Sequence, residues 1–424
     1  MSSSSSPKVV VWADLHPEMV LSIAEWMVVA DIIRLRAVCG RWAWALGKKS
    51  NKHPLPPPRP SNNRWVCQPS PWLLLPNSPR QNGGSCTFFS IIENRFYRTP
   101  SLPQITDRHL LESPHHGWFV TIDLNFAPSF VNPFTKQELI LPSMLTIPRY
   151  DPPYIEQEVH NTRAIFINVL INAYLEKIIF TPTPQQNGIA VAVWDDGING
   201  ITLPFASVGN ATWSLGPNLR LSANHLMDVV YNEKDSMLYA LSSSLDVFIL
   251  KFMNRSLEVV SMVARPMEEL EKNRMHKFLV FSDGDLMHVN WYLNHSIEFN
   301  PDIENFNSVI SSEFKIFRFD YDFHNVQEPR IHVCSPGSCW VPVNNLRNQA
   351  LILGKNTCFS VNYSGDEKKK NKVFFINNVA VDGSVFVLGA FDLERNDVDP
   401  FVTYGSVPGN PYPILFMPAP KLWD

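Results

Sequence analysis

The sequence predicts a mainly β protein: a large, propeller-like repeat of antiparallel sheets, preceded by a small three-helix module. Three observations predict it. Helical periodicity is confined to the first fifty residues, short β-branched and aromatic runs separated by turn signals fill the rest, and a proline-dense stretch divides the two textures. The chain has 424 residues, 45% hydrophobic, too many for one ordinary compact core and too apolar for wholesale disorder.

In chain order, residues 1–9 read as a polar tail, 10–50 as the helical module, 51–64 as a proline-rich linker and 65–424 as the β domain. The opening "MSSSSSPK" lacks the apolar centre of a secretory signal. In the helical module Pro17 suits a first helical turn and Glu18 complements its positive end. Met19, Val20, Ile23, Ala24 and Met27 give that helix an apolar face. Asp31 can cap or open a second helix through Ile32, Ile33 and Leu35, Gly40 can break the path to a third, and Gly47 stands where a helix commonly stops. Across "LRAVCGRWAWAL" helical spacing puts Leu35, Val38, Cys39, Trp42 and Leu46 on one stripe, with Trp44 off it. Two apolar sides need two surfaces to bury against. About forty residues cannot supply both, so the second is expected to be another protein.

"HPLPPPRP" (53–60) cannot continue a helix and favours extended geometry, a semi-rigid spacer. The net charge is +3 over residues 1–52 and −7 beyond, −4 for the whole chain. Neither balance suggests a general attraction to nucleic acid or membranes. No run of about 18 uninterrupted apolar residues predicts a membrane span. Six cysteines without regular spacing fit a reducing compartment, the cytoplasm and/or nucleus. Four N-x-S/T sequons, at Asn210, Asn254, Asn294 and Asn362, then read as chance matches.

Beyond residue 65, runs such as "GWFVTIDL", "IAVAVW", "LDVFIL", "KFLVF" and "VFVLGAFDL" alternate with the turn signals Asp196-Gly197, Asn199-Gly200, Asp283-Gly284 and Asp382-Gly383. A loose unit of strand, turn and strand recurs at 227–250, 277–293 and 372–393, as expected if each sheet has two neighbours. A propeller or stacked sheets would satisfy this pattern. One segment, "PMEELEKNRMHK" (266–277), reads as a short helix or a polar loop.

Residues 12–46, "WADLHPEMVLSIAEWMVVADIIRLRAVCGRWAWAL", resemble an F-box. Leu15, Pro17 and Glu18 match its Leu-Pro-x-Glu opening. Val20, Leu21 and Ile23 match its first helix. Asp31, Ile32, Ile33 and Arg34 match its Asp-Leu-Leu-Arg-like second helix, and Val38, Cys39 and Trp42 its Val-Cys-x-x-Trp. Many members carry two successive prolines in the opening, where this chain has His16 then Pro17. The remainder is similar to plant F-box proteins with a β-rich, propeller-like C-terminal domain, through "PWLLLP" (71–76), "ENRFYRTPSLP" (93–103), "HHGWFVTID" (115–123), "VNPFTKQELILPSM" (131–144), "ALILGKNTCFSVNY" (350–363), "KVFFINN" (372–378) and "NPYPILFMPAP".

The resemblance implies a non-catalytic adaptor. Leu15, Pro17, Val20, Ile23, Ile33, Leu35, Val38, Cys39 and Trp42 would meet a Skp-type linker and, through it, cullin, while the β domain holds a protein substrate. An alternative with the same docking is a scaffold or inhibitor outside any ligase.

Cys334 and Cys339 in "HVCSPGSC", with His332 and Cys358, could be imagined around zinc, but the spacing is loose and reads better as two strand residues flanking a Pro-Gly turn. His115, His116, Asp195, Asp196, Asp283 and Asp285 could form acid–base pairs, yet each sits by a glycine or turn, where backbone reasons account for it. No phosphate-cradling glycine loop, G-x-S-x-G or H-E-x-x-H occurs. No catalytic residue, metal or cofactor is therefore expected. "DEKKKNK" (366–372) reads as the solvated tip of a hairpin joining "CFSVNY" to "KVFFIN", with a nuclear signal as the other reading.

Overall fold

The structure is a computed structural model of the chain. It describes residues 15–24, 27, 29–46, 71–75, 85–91, 93–101, 105, 108–112, 117–148, 174–181, 188–195, 201–217, 219, 226–253, 255–264, 275–300, 305–320, 331–333, 340–354, 357–363, 369–378, 385–405 and 414–416. The chain divides into two compact units: residues 1–70 with 417–424, and residues 71–416. The sequence-predicted linker at 51–64 lies outside the described residues.

The described part of the first unit holds three short helices: α1 (Pro17–Ala24), α2 (Val29–Val38) and α3 (Gly40–Ala45). Pro17 stands at the first helical position, where a missing N–H costs nothing, and the backbone N–H groups of Met19 and Val20 donate back to the His16 carbonyl. Residues 35–46 are not one helix. Cys39 is extended, with φ −161° and ψ 164°, and ends α2 one residue before the expected break at Gly40, which instead opens α3. The stripe drawn through Leu35, Val38, Cys39, Trp42 and Leu46 is broken there. Leu35, Trp42 and Leu46 are buried, and Val38 is turned out.

The second unit is a six-bladed β-propeller, with six antiparallel-rich sheets among its described residues. The first sheet begins with β1 (Trp72–Leu75), β2 (Ser85–Ser90) and β3 (Arg95–Ser101). The second is β4 (His109–Leu111), β5 (Phe119–Ile122), β6 (Pro128–Val131) and β7 (Glu138–Ile140). The third has β8 (Leu175–Thr181) and β9 (Ile189–Asp195), whose far edge is shared by β10 (Ile201–Thr202) and β11 (Phe205–Ser207). Those two are one run in continuous register, interrupted because Pro204 cannot donate, although its carbonyl still accepts from the N–H of Ala192. The fourth-strand position of this sheet shrinks to a single bridge between Phe205 and Ser214.

The fourth sheet takes β12 (Leu226–Asn232), β13 (Met237–Ser242), β14 (Val247–Met253) and β15 (Ser256–Ala264). The fifth takes β16 (Met275–Ser282), β17 (Asp285–Asn300) and β18 (Asn305–Phe319). β19 (Ile331–Val333) then returns to lie parallel to β15, and β20 (Trp340–Pro342) completes the fifth sheet. The sixth is β21 (Gln349–Leu353), β22 (Cys358–Asn362), β23 (Lys372–Asn378), β24 (Val385–Asp392) and β25 (Asp397–Gly405). The last strand, β26 (Ile414–Phe416), pairs antiparallel with β1, so the first sheet is built from both ends of the unit and closes the ring.

Two readings of the sequence are corrected. Met275–Lys277, the end of the candidate helix, lie in β16, while 266–274 fall outside the described residues. "CFSVNY" and "KVFFIN" are not hairpin partners: β21 lies between β22 and β23 and runs parallel to β23, so their connection crosses over. Of the four turn signals, Asp283-Gly284 is described. It has φ 53° and 92°, the double left-handed turn that closes the β16–β17 hairpin, and the glycine takes that conformation without strain.

Strand alternation explains how the sheets stack. One face of the fourth sheet, with Val229, Leu238, Ala240 and Leu250, packs on the third sheet's Ile179, Val191 and Val193. Its other face, with Tyr239, Leu241, Val247 and Ile249, packs on Leu279, Leu286, Phe319 and Trp340 of the fifth. The fifth turns Val280, Val289, Trp291 and Phe314 toward Leu351, Leu353, Val373, Phe375 and Phe391 of the sixth. Trp118, Phe130, Phe180, Trp194 and Trp213 fill the space between the second and third. The third, fourth and fifth sheets are apolar on both faces because each packs on two neighbours, and many of the buried aromatic side chains lie in these interfaces.

Candidate docking site

In the helical unit the side chains sort by direction. Val20 and Ala24 of α1, Ile32 and Leu35 of α2, and Trp42, Ala45 and Leu46 at α3 form the interior. Trp42 is 7% exposed; its indole Nε1 is buried and finds no acceptor among the described residues. Trp44, two positions on, is 53% exposed, as are Met19 at 55% and Val38 at 56%. A two-residue step on a helix turns a side chain through more than half a revolution, so one tryptophan anchors the core and the next faces out. Each of these exposed side chains comes from a different helix.

The nine residues expected to meet a partner divide accordingly. Val20, Leu35 and Trp42 lie inside the unit. Leu15, Pro17, Ile23 and Cys39 are half-buried at its rim, and Val38 is exposed. Ile33 lies in α2, with its side chain outside the described residues. Met19 and Trp44 join the outward set. The sequence flagged both as apolar, but could not show which way Met19 points, because Val20 and Ala24 compete with it for the core. Arg34 and Asp31, 2.6 Å apart on exposed α2, add a polar rim.

In the propeller, the described sequence candidates for acid–base or metal chemistry do not converge. His115, His116, Asp196, Cys334 and Cys339 lie outside the described residues, as does the side chain of His332. Asp195 ends β9, while Asp283 lies in the β16–β17 turn and Asp285 opens β17. Among the described residues, no group of three His, Cys, Asp or Glu side chains is placed to hold a metal ion. Cys358 is buried, and burial pushes its thiol well up, which keeps it protonated and inert as a nucleophile.

The arrangement sequence reasoning missed lies where innermost strands meet. Lys177 of β8 is 2.7 Å from Asp228 of β12, both nearly sealed from water. Lys177 Nζ also donates to the Val229 carbonyl at 3.1 Å, and Asp228 accepts the N–H of Leu279, in β16, at 2.8 Å. One carboxylate therefore ties the third, fourth and fifth sheets together. A second, Glu112, follows β4. It accepts from Thr357 Oγ1 at 2.9 Å, before β22, and from the N–H of Leu415 in β26 at 3.3 Å. It joins the second, sixth and first sheets at the ring closure, and a Cβ at Gly354 would run into it. Their only sequence signal is a charge set inside an apolar strand run. Both serve as structural fasteners.

Over 81 residues the chain is 35% identical to F-box protein KIB3 of Arabidopsis thaliana, a match spanning 18% of this chain and 18% of that protein's length. Among solved structures it is similar to a protein from Lactobacillus plantarum, with 11% identity and TM-score 0.37 over 82% of this chain and 99% of that one. It is also similar to the Cps50 (Swd1) β-propeller domain of Myceliophteria thermophila, with 8% identity and TM-score 0.29 over 77% and 82%. Residues 88–402, most of the ring just described, match the family described as KIB1-4 beta-propeller, and the chain belongs to that family.

Proposed function

We propose that this chain is the substrate-receptor subunit of a Skp–cullin–F-box ubiquitin ligase. The helical unit docks on a Skp-type linker, and through it on cullin, while the propeller holds a protein substrate. The observation that carries the reading is the split between Trp42 and Trp44: a unit too small to hide all its apolar surface keeps one tryptophan as core and turns the other out with Met19 and Val38. The F-box pattern across residues 12–46 and the partial likeness to an Arabidopsis F-box protein support the same assignment. On this reading the chain does no covalent chemistry; it raises effective concentration and sets orientation. Its place of work is the cytoplasm and/or nucleus.

The test is co-expression of the full chain with a Skp-type linker and cullin, followed by size-exclusion chromatography. The expected result is a one-to-one complex with the linker that also carries cullin. Val38→Asp with Trp44→Ala should weaken linker binding tenfold or more and leave the thermal transition of the propeller unchanged. Leu15→Ala with Pro17→Ala should weaken it as well. Trp42→Ala should lose binding for a different reason, by costing the helical unit about 3–5 kcal/mol of core. A folded wild-type chain that does not bind the linker, or a Val38→Asp/Trp44→Ala variant that binds equally tightly, overturns the assignment. Linker binding without cullin favours the scaffold alternative.

A further inference from the structure

The first sheet ends in an open edge. Its strands run in the order β26, β1, β2, β3, and no further strand lies beside β3 among the described residues. β3 pairs with β2 from Arg95↔Ser90 to Ser101↔Ser85, with one irregularity: Pro100 is the extra residue between Thr99↔Cys86 and Ser101↔Ser85. Proline has no N–H to offer, so the usable edge runs from Arg95 to Thr99, about 17 Å of strand. The fourth sheet shows how such an edge is filled in this molecule, because β19 adds there alongside β15.

Register sorts the side chains of this edge. Leu415, Leu73, Phe89 and Phe96 form one rung across the four strands. The first three are 1% exposed, whereas Phe96, whose ring centroid lies 5.1 Å from that of Phe89, is 58% exposed. An apolar rung that starts at β26 therefore ends at the sheet edge in an aromatic side chain facing water. Arg98, two positions along on the same face, is exposed. On the opposite face Tyr97 stacks on Trp72, with centroids 4.9 Å apart, and Arg95, two positions from it, is exposed. Among the described residues no carboxylate pairs with either guanidinium. The acid adjacent in sequence, Glu93, accepts instead from the Tyr97 hydroxyl and from Ser90 Oγ at 3.4 Å. The edge thus carries two unmatched positive charges, three positions apart and on opposite faces, with an exposed aromatic ring between them.

We infer that the outer edge of β3, residues 95–99, docks an extended acidic segment of a protein partner, which adds antiparallel to the first sheet. Read from its N-terminus, the segment places an acid opposite Arg98, any small or polar residue opposite Tyr97, an apolar residue opposite Phe96 and a second acid opposite Arg95. Strand alternation makes the four pairs compatible, since Arg98 and Phe96 share one face and Tyr97 and Arg95 the other. Main-chain hydrogen bonds to the edge supply affinity, and the two guanidiniums and the ring select the partner. Charge decides between occupants. A second copy of the chain centred on the same residues would set each Arg95 against an Arg98, and like charges directly opposite destabilise a strand pair. Two cations on opposite faces of one strand make no continuous basic track for a nucleic acid, and residues beyond 52 carry a net charge of −7. This rests on, and deepens, the reading of the propeller as the receptor's substrate-holding part: the substrate class is a protein with an exposed segment of this pattern.

The experiment uses the full chain and a fluorescein-labelled peptide of about nine residues centred on Glu-Thr-Val-Glu, read by fluorescence anisotropy. A control peptide has lysine in place of both glutamates. The acidic peptide should bind, and the lysine peptide should bind at least tenfold more weakly. Arg95→Glu with Arg98→Glu, both at exposed positions, should reverse that preference and leave the thermal transition unchanged. Phe96→Ser should weaken binding about two- to fivefold. Alternate N-methylation of the peptide tests the main chain, because successive N–H groups of a strand point to opposite sides. Methyl groups on one alternate set should abolish binding, and on the other set should leave it nearly unchanged. No binding of the acidic peptide, equal binding of the two peptides, or an equal effect of the two methylation patterns overturns the proposal. So does a concentration-dependent dimer that Phe96→Ser abolishes, or a single-stranded oligonucleotide of about ten nucleotides that binds the edge more tightly than the acidic peptide. Peptide binding by a chain that fails to bind the Skp-type linker sinks the ligase assignment and leaves the docking edge standing; linker binding without peptide binding does the reverse.

Discussion

Lys177 and Asp228 are 51 positions apart in sequence and 2.7 Å apart in the fold. Each is surrounded by strand residues sealed from water, so neither tolerates the loss of the other. Asp228→Ala strands a buried ammonium and removes the acceptor of the Leu279 N–H; the expected cost is about 3–5 kcal/mol. The paired change Lys177→Met with Asp228→Leu should cost clearly less, and denaturant midpoints for the two variants measure the difference. Glu176, next to Lys177, behaves otherwise. Water reaches it, but crowding by protein first, then the charges of Asp195 and Asp228, push its carboxyl up from 4.5 to about 7. Folded protein then binds more protons than unfolded between those values, so the group's contribution to stability falls as pH climbs through that window and levels off above it. Glu176→Gln should match wild type in melting temperature near pH 4 and exceed it at pH 8; an equal difference at both would refute the cause given. None of this was legible in the sequence, where the three charges look like ordinary solvated strand positions. That Trp42 and Trp44 leave their helix on opposite sides was legible, because helix geometry separates two residues two apart; which of them is core was not, and Trp42, expected to meet the partner, is the buried one.

At the scale of elements, what was legible was local. The first turn of α1 at Pro17, the Asp283-Gly284 hairpin and the apolar runs of β5, β9, β14, β16 and β24 all follow from residues within a few positions of one another. Errors arose where two elements compete for the same residues. The stripe from Leu35 to Leu46 fits one helix by spacing, but Cys39 takes an extended conformation and restarts the helix, which turns Val38 out of the stripe. The crossover between β22 and β23 was misread as a hairpin because adjacency in sequence is the usual rule, and here β21 takes the position beside β23. The length of β17 and β18 was hidden for a related reason. "NHSIEFN" and "NFNSVISS" are polar enough to pass for loops until their mutual register is seen.

At the scale of the molecule, the propeller is a ring of quasi-independent sheets in which each buries its faces on two neighbours, and a ring has one seam. Here the seam is doubly fastened. β26 inserts beside β1, placing Leu415 opposite Leu73 and Ile414 opposite Leu74, all four buried. Glu112, from the second sheet, takes the Leu415 N–H and the Thr357 hydroxyl at the same point. Repeat arrays without closure unfold piecewise, because stability is then a sum of sheet and neighbour terms, whereas closure makes the last interface depend on the first. Truncation before Ile414 should therefore do more than remove the burial of Ile414 and Leu415. It exposes the β1 edge, leaves Glu112 short of one donor, and should turn one sharp thermal transition of residues 71–416 into a broader one at lower temperature. Glu112→Gln, which keeps the strand and weakens the latch, should lower the midpoint with less broadening. Scanning calorimetry reads both effects, the second through the ratio of van't Hoff to calorimetric enthalpy. An unchanged midpoint and width after truncation would mean that the sheet interfaces alone hold the ring and that the seam contributes nothing.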